Sequence, residues 1–191
     1  MRKSSRTSDS TVAPDSTPAR LIAAASEEFR RRGYSGTDTN RIARRAGFAP
    51  QTFYRWFRDK TQIFLAVYRA WEEEERVVLA RLMSANAPSS QVVAAILKHH
   101  RVYRIFRRSL RQLTLEDPTV RKARAQSRTR QIERIRASMG AAARDFSEVA
   151  TLLLQIERLC DGIADDEFAD LGVDERVPRA AIVELQRRFR R

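Results

Sequence analysis

One cysteine, Cys160, occurs in this chain, which excludes an intrachain disulfide and a zinc site built on thiolates. Glycine and proline are also scarce. Six of each in 191 residues, between long stretches rich in Ala, Leu, Arg and Glu, argue for a mostly helical protein. No apolar run approaches the ~20 residues needed to cross a bilayer, and no signal-peptide core is present. A cytoplasmic protein without a membrane partner is expected. The motifs of common enzyme classes are missing as well: there is no phosphate-cradling glycine loop, no HExxH and no GxSxG. The two histidines, His99 and His100, are adjacent. On a helix they point ~100° apart and cannot chelate one metal together. No catalysis, cofactor or metal is expected.

What the chain has in excess is positive charge, +13 from 37 basic and 24 acidic residues, an imbalance that favours a polyanionic partner. The first 60 residues hold 13 basic and six acidic side chains, so the N-terminal third is the more basic per residue. Arginine outnumbers lysine 33 to 4. Its planar fork suits phosphate and guanine, although a GC-rich genome produces the same bias. Hydrophobic residues make up 42% of the chain, enough for a packed core.

Residues 1–16 are polar and aperiodic and read as a disordered basic arm. A first helix is expected from Thr17-Pro18, with Thr17 as N-cap and Leu21, Ile22, Ala25 and Phe29 as its buried stripe. Gly33 ends it. Thr37 offers the N-cap of a second helix whose Ile42, Ala43 and Ala46 face inward, and Gly47 stops that helix as a left-handed cap. Pro50 starts a third, short helix, with Phe53 and Phe57 on one face. Helix, tight turn with glycine, helix is the helix-turn-helix pattern. Its second helix leaves Gln51, Thr52, Tyr54 and Arg55 outside the apolar stripe, hydrogen-bonding side chains beside much positive charge.

These residues resemble the TetR family of bacterial transcriptional regulators. The resemblance covers about residues 20–64 and rests on Gly33-Tyr34, Thr37, Ile42-Ala43, Ala46-Gly47-Phe48, Thr52-Phe53-Tyr54, Phe57 and Lys60. It implies that Thr37, Tyr54 and Lys60 bind phosphates, which fixes register, while Gln51, Thr52 and Arg55 are placed to read bases. Arg44 and Arg45, with Arg41, lie on the helix that crosses the backbone. Two positions depart from the family pattern. Ala49 replaces the usual capping serine, and Gln51 replaces a frequent glycine, adding a side chain that can pair bidentately with adenine.

Residues 17–60 are thus read as a helix-turn-helix domain and 61–191 as a ligand-binding and dimerisation domain, giving an all-α protein of about nine helices. In the second domain one helix is expected from about Asp59 to Asn86. A fifth runs from about Ser90 and carries Val93, Ile96, Leu97, Tyr103 and Phe106. An eighth covers about 146–166, and a last one starts near Pro178. Polar groups on apolar stripes, Glu74 and His100 with neighbouring Trp71 and Tyr103, are candidates for lining an effector pocket; for His100 a satisfied place in the core is the alternative. The acidic run "WEEEER" reads as a solvated turn with a Glu72–Arg76 pair. The basic run from Arg101 onward either binds an anionic ligand or pairs with the acidic segment Asp161–Asp174, the second being favoured. The resemblance implies a four-helix dimer interface from the last two long helices, with Leu152, Ile156, Leu159, Gly162, Ile182 and Leu185 as its candidates. The expected function is a homodimeric repressor bound to a palindromic double-stranded DNA operator and released by a small-molecule effector. The alternatives are a non-specific basic nucleic-acid-binding protein, or a TetR-like regulator that lacks ligand control or activates.

Overall fold

The computed structural model describes residues 15–139 and 145–189, in which every regular element is an α-helix. All but the last two residues of the expected basic arm lie outside the described residues. The elements are α1 (Thr17–Arg32), α2 (Thr39–Arg45), α3 (Pro50–Tyr54), α4 (Lys60–Ser84), α5 (Ser89–Val102), α6 (Arg104–Glu116), α7 (Pro118–Met139), α8 (Phe146–Ala164), α9 (Glu167–Asp170) and α10 (Arg176–Arg187). The helix beyond the expected count is the single-turn element α9.

Local chemistry sets the first boundaries. Ser16, not Thr17, caps α1: its hydroxyl accepts the Ala19 N–H at 3.4 Å, which leaves Thr17 and Pro18 in the first turn. Gly33 ends the helix at φ 69°, and a Cβ there would meet Ser109 Oγ of α6 at 3.0 Å. The left-handed turn and the close approach both require glycine. The cap of α2 is Asp38, whose carboxylate accepts the Arg41 N–H at 2.8 Å. Thr37 cannot serve because it is buried beneath the turn. Gly47, at φ 78°, ends α2 in the left-handed region as expected.

Between α5 and α6 the chain bends at Tyr103 (φ −104°, ψ 16°), where one continuous helix was expected. Val93 and Leu97 of α5 pack with Ile156, Cys160 and Ile182, whereas Phe106 and Leu110 of α6 belong to the core of the N-terminal head. The bend re-aims the apolar stripe from one partner to the other. That head core joins Leu21, Phe29, Ile42, Phe53 and Phe57 to Ile63, Phe64 and Val67 of α4 and to Phe106 of α6. The Phe64 ring lies 5.2 Å from Phe29, edge-on, and 4.9 Å from Phe106. The three-helix head is therefore closed by α4 and α6. A separate cluster of Ile132, Val149 and Leu153 joins α7 to α8.

The basic run of α5 and α6 does pair with the acidic segment. Asp161 of α8 is 4% exposed and accepts from His100 Nδ1 (3.0 Å), Arg107 Nε (2.6 Å) and Arg111 Nη1 (2.7 Å). Arg111 also reaches Asp165, which Arg108 meets at 2.9 Å. Desolvating a carboxylate costs several kcal/mol, so a buried aspartate persists only with its oxygens fully satisfied. No helix among the described residues is long and apolar enough to cross a membrane.

This network makes stability depend on pH with a definite sign. Burial and the Arg107 charge hold the His100 imidazole below its ordinary value of 6.5. As pH falls through that value the unfolded chain gains a proton that the fold does not, and stability is lost. For Asp161, burial raises the pKa, but His100 and Arg107 outweigh it and hold the carboxyl well below the ordinary 3.8. Its contribution is present above that value and lost below it. Thermal melts should be flat between about pH 7 and 8, decline below about 6.5 and fall steeply below about 4. His100→Asn, which keeps a donor toward Asp161 but cannot titrate, should remove the upper decline and leave the lower one.

Candidate nucleic-acid interface and effector groove

Helix α3 is five residues long, so its orientation depends on what lies beneath it. Pro50 supplies the first helical φ, and Ala49 makes no side-chain cap. Phe53 is fully buried, 5.7 Å from Phe57, and anchors the helix on the head core. Gln51, Tyr54 and Arg55 are left exposed, and Thr52 half-buried. Tyr54 is 57% exposed, with its hydroxyl 3.0 Å from Thr39 Oγ1, which ties α3 to α2. Beside it Trp56 is 52% exposed, a residue the sequence reading passed over. The signal was its place one position off the Phe53–Phe57 stripe.

The basic side chains divide into two groups. Arg45 Nε lies 2.5 Å from Oε1 of Glu28, a residue 2% exposed on α1, and Arg32 sits 3.4 Å from the other carboxylate oxygen. Arg45 is therefore a brace between α1 and α2. Arg41 and Arg44 are exposed, and with Arg45, Asp38 and Glu28 they line an open groove of about 490 Å³. Lys60, expected to meet a phosphate, donates to the carbonyls of Tyr34 and Thr37 at 2.9 Å each, 4.1 Å above the Tyr34 ring. Burial lowers its pKa. Thr37 is 3% exposed, and its hydroxyl has no partner. Lys60 thus reaches from the start of α4 to the α1–α2 turn in which Thr37 is buried, whereas Gln51, Tyr54, Arg55 and Arg44 face solvent.

Residues 21–67 match the family model described as bacterial regulatory proteins, tetR family. The head of this chain, residues 21–67, is therefore of the TetR type. Its helix-turn-helix is accordingly a DNA-binding element. The likeness in fold extends over most of the chain. A transcriptional regulator from Rhodococcus sp. Rha1 superposes with a TM-score of 0.66 at 15% identity, covering 91% of this chain and 96% of its own. A putative TetR-family transcriptional regulator from Rhodococcus sp. gives 0.67 at 14%, over 88% and 96%. The regulator FadR from Bacillus subtilis, in complex with stearoyl-CoA, gives 0.51 at 18%, over 87% and 96%. No curated protein matches the chain.

In the C-terminal part of the chain a groove of about 640 Å³ opens between α4 and α5. Val78, Leu79 and Leu82 of α4 face Ala94 and Ala95 of α5, where small side chains leave the space, and Glu74, Glu75, His99 and Tyr103 add polar groups. Of the four expected effector residues, Glu74 and Tyr103 line it, joined by a 2.6 Å hydrogen bond from the Tyr103 hydroxyl. Trp71 lies behind them, 6% exposed and stacked on His99 with ring centroids 5.2 Å apart. His100 points away, into the Asp161 network, which is its core alternative. The acidic run is not a solvated turn. Arg76 pairs with Glu73 at 2.5 Å rather than with Glu72, which instead accepts from the Ser127 hydroxyl of α7, and Glu75 lies 3.4 Å from His99 Nδ1.

The expected dimerisation residues lie mostly inside the protomer. Leu152, Ile156 and Ile182 are buried in its own core, Leu159 and Leu185 half-buried against it. Gly162 makes room for Phe168, whose Cε2 would be 3.0 Å from an added Cβ. The outward faces of the same helices carry Thr151, Gln155 and Arg158 on α8 and Val177, Ala180, Ala181 and Glu184 on α10.

The two arginine environments predict opposite phenotypes. Arg45→Met should lower stability by about 1–3 kcal/mol, because it leaves buried Glu28 short of its nearest donor. Arg44→Ala should leave the melt unchanged and instead reduce the salt slope of DNA binding by about one. Melting curves and fluorescence-anisotropy titrations at several salt concentrations check both.

Proposed function

We propose that this protein is a homodimeric repressor that occupies a palindromic operator and is released when a small molecule enters the α4–α5 groove. The observation that carries the reading is the outward face of α3. Gln51, Tyr54 and Arg55 stand exposed on a short helix whose orientation is fixed by fully buried Phe53. In this reading α3 enters the major groove, Gln51 and Arg55 meet base edges with Thr52 beside them, and Tyr54 meets a phosphate. Thr37 and Lys60 hold the α1–α2 turn in shape and approach phosphate through the backbone they order.

Two copies are required by the geometry of DNA. Recognition helices entering successive major grooves stand ~34–36 Å apart, which one chain with one α3 cannot supply. The outward faces of α8 and α10 serve as the self-complementary surface, with Ala180 and Ala181 allowing close approach. The stearoyl-CoA complex of the Bacillus subtilis neighbour supports a small-molecule effector for a protein of this fold. The groove here lies alongside α4, whose first residue, Lys60, is held by the head.

Sequencing genomic fragments retained by the purified protein at physiological salt should return a palindromic motif at one or a few promoters. Uniform retention would instead support the non-specific alternative. Gln51→Ala should relax preference at one or two base pairs by about 1–3 kcal/mol while sparing the others. Ala181→Glu should convert the sedimenting species from dimer to monomer and abolish binding to the full palindrome.

A further inference from the structure

The sides of the α4–α5 groove are apolar and its acidic end is aromatic, a combination that selects for charge. Glu75 is largely withdrawn from solvent, its side chain 15% exposed. Burial works against its ionisation, but the neighbouring His99 foremost, with Arg107 behind it, outweighs that and keeps the carboxyl below its ordinary range. Its contact with His99 is an ion-pair distance of 3.4 Å at which neither ring nitrogen of that histidine completes a hydrogen bond. Glu74 stands one residue away, with the Tyr103 hydroxyl on its carboxylate and the Tyr103 ring 4.9 Å from that of His99.

We propose that this groove takes a lipophilic cation: an alkyl or aryl body lying along Val78, Leu82 and Ala95, ending in an ammonium-type charge against Glu74, Glu75 and Tyr103. The inference rests on the groove being the effector site and specifies the ligand's chemistry. A cation pairs with Glu74, whose carboxylate is held by the neutral Tyr103 hydroxyl, and with Glu75 beside it, and the tyrosine ring adds cation–π attraction. An acid of the same shape would either bring its carboxylate to Glu75 or press its chain on it, stripping water from an ionised group without replacing it. The basic groups at the groove, Arg81 and Lys98, are exposed, where solvent already satisfies them.

The test uses decyltrimethylammonium and decanoate, equal in chain length and opposite in charge, each below its micelle-forming concentration and titrated calorimetrically into the full chain. The cation should bind at least about tenfold more tightly than the acid, and Glu75→Gln should weaken the cation by about tenfold. Ala95→Phe, which fills the groove and keeps both carboxylates, should abolish binding while leaving the melt intact. Three results overturn the proposal: decanoate binding as tightly or more tightly, no binding of the cation, or cation binding that neither variant changes. Occupancy of the retained DNA motif is followed in parallel. Variant-sensitive cation binding that leaves DNA occupancy unchanged would uphold the ligand assignment and defeat the release mechanism instead.

Discussion

Asp161 fixes the frame on which everything else hangs. Its carboxylate, under protein, is held by donors from α5 and α6 at once, through His100, Arg107 and Arg111. A buried carboxylate that lost one of these donors would be left with an uncompensated charge, so the three helices that meet there have one acceptable arrangement. Residues adjacent on α6 then look in opposite directions. Arg107 is committed to Asp161 and to the face of Trp71, 5.1 Å from its ring, while Phe106 is committed to Phe64 in the head. Two residues further on, the Ser109 hydroxyl accepts the Tyr34 N–H at 2.9 Å, in the turn between α1 and α2. Helix α6 thus has one face in the head core and another against Asp161.

The reading surface depends on that packing because α3 has almost no stability of its own. Five residues without a capping side chain are far below the length at which a helix is stable alone. Its position comes from Phe53 and Phe57 beneath it and from the Tyr54–Thr39 contact beside it. The ion pair of Arg45 with buried Glu28 acts at the next level down, keeping α2 on α1. Positive charge around α3 is accordingly of two kinds. Some arginines hold the head together, and others, such as Arg41 and Arg44, stand exposed on its surface.

The head was legible in the sequence because its signals are local. Phe53 and Phe57 four residues apart, Gly47 after Ala46 and Pro50 three residues later each specify local structure within one turn, and the structure has all of them. Where the sequence misled, two local solutions were equally good and packing decided. Thr37 and Asp38 can both cap α2, and Thr37 is excluded only because the turn buries it. The bend at Tyr103 carries no proline or glycine; it exists because α5 and α6 serve different cores. Each glutamate of 72–75 has its own surroundings, and for Glu72 and Glu74 the partner lies far off in sequence, in Ser127 and Tyr103. A helix apolar around much of its circumference, such as α8, does not say which side its own protomer will cover. Leu152 and Ile156 were read as partner contacts and turn inward for that reason.

The proposed site and the reading head share α4. From Lys60 to Glu75 the helix advances about 22 Å, enough to join the α1–α2 turn to the groove without an intermediary. Emptying an operator from 99:1 to 1:99 requires an effector to favour the non-binding state by about 10⁴-fold, or about 5.5 kcal/mol. Divided between two identical grooves, each ligand need favour that state by only about a hundredfold. That lies within reach of one charge pair and a few buried alkyl groups. The geometry also says which way the strain would travel. Helix α6 is pinned by Asp161, whereas the middle of α4 is open to solvent at Glu74, Val78 and Arg81. In the proposed release, a body wedged between α4 and α5 would move α4 against α6. Phe64 of α4 and Phe106 of α6 meet inside the head core, so that relative motion would bear on the helices around the proposed reading surface.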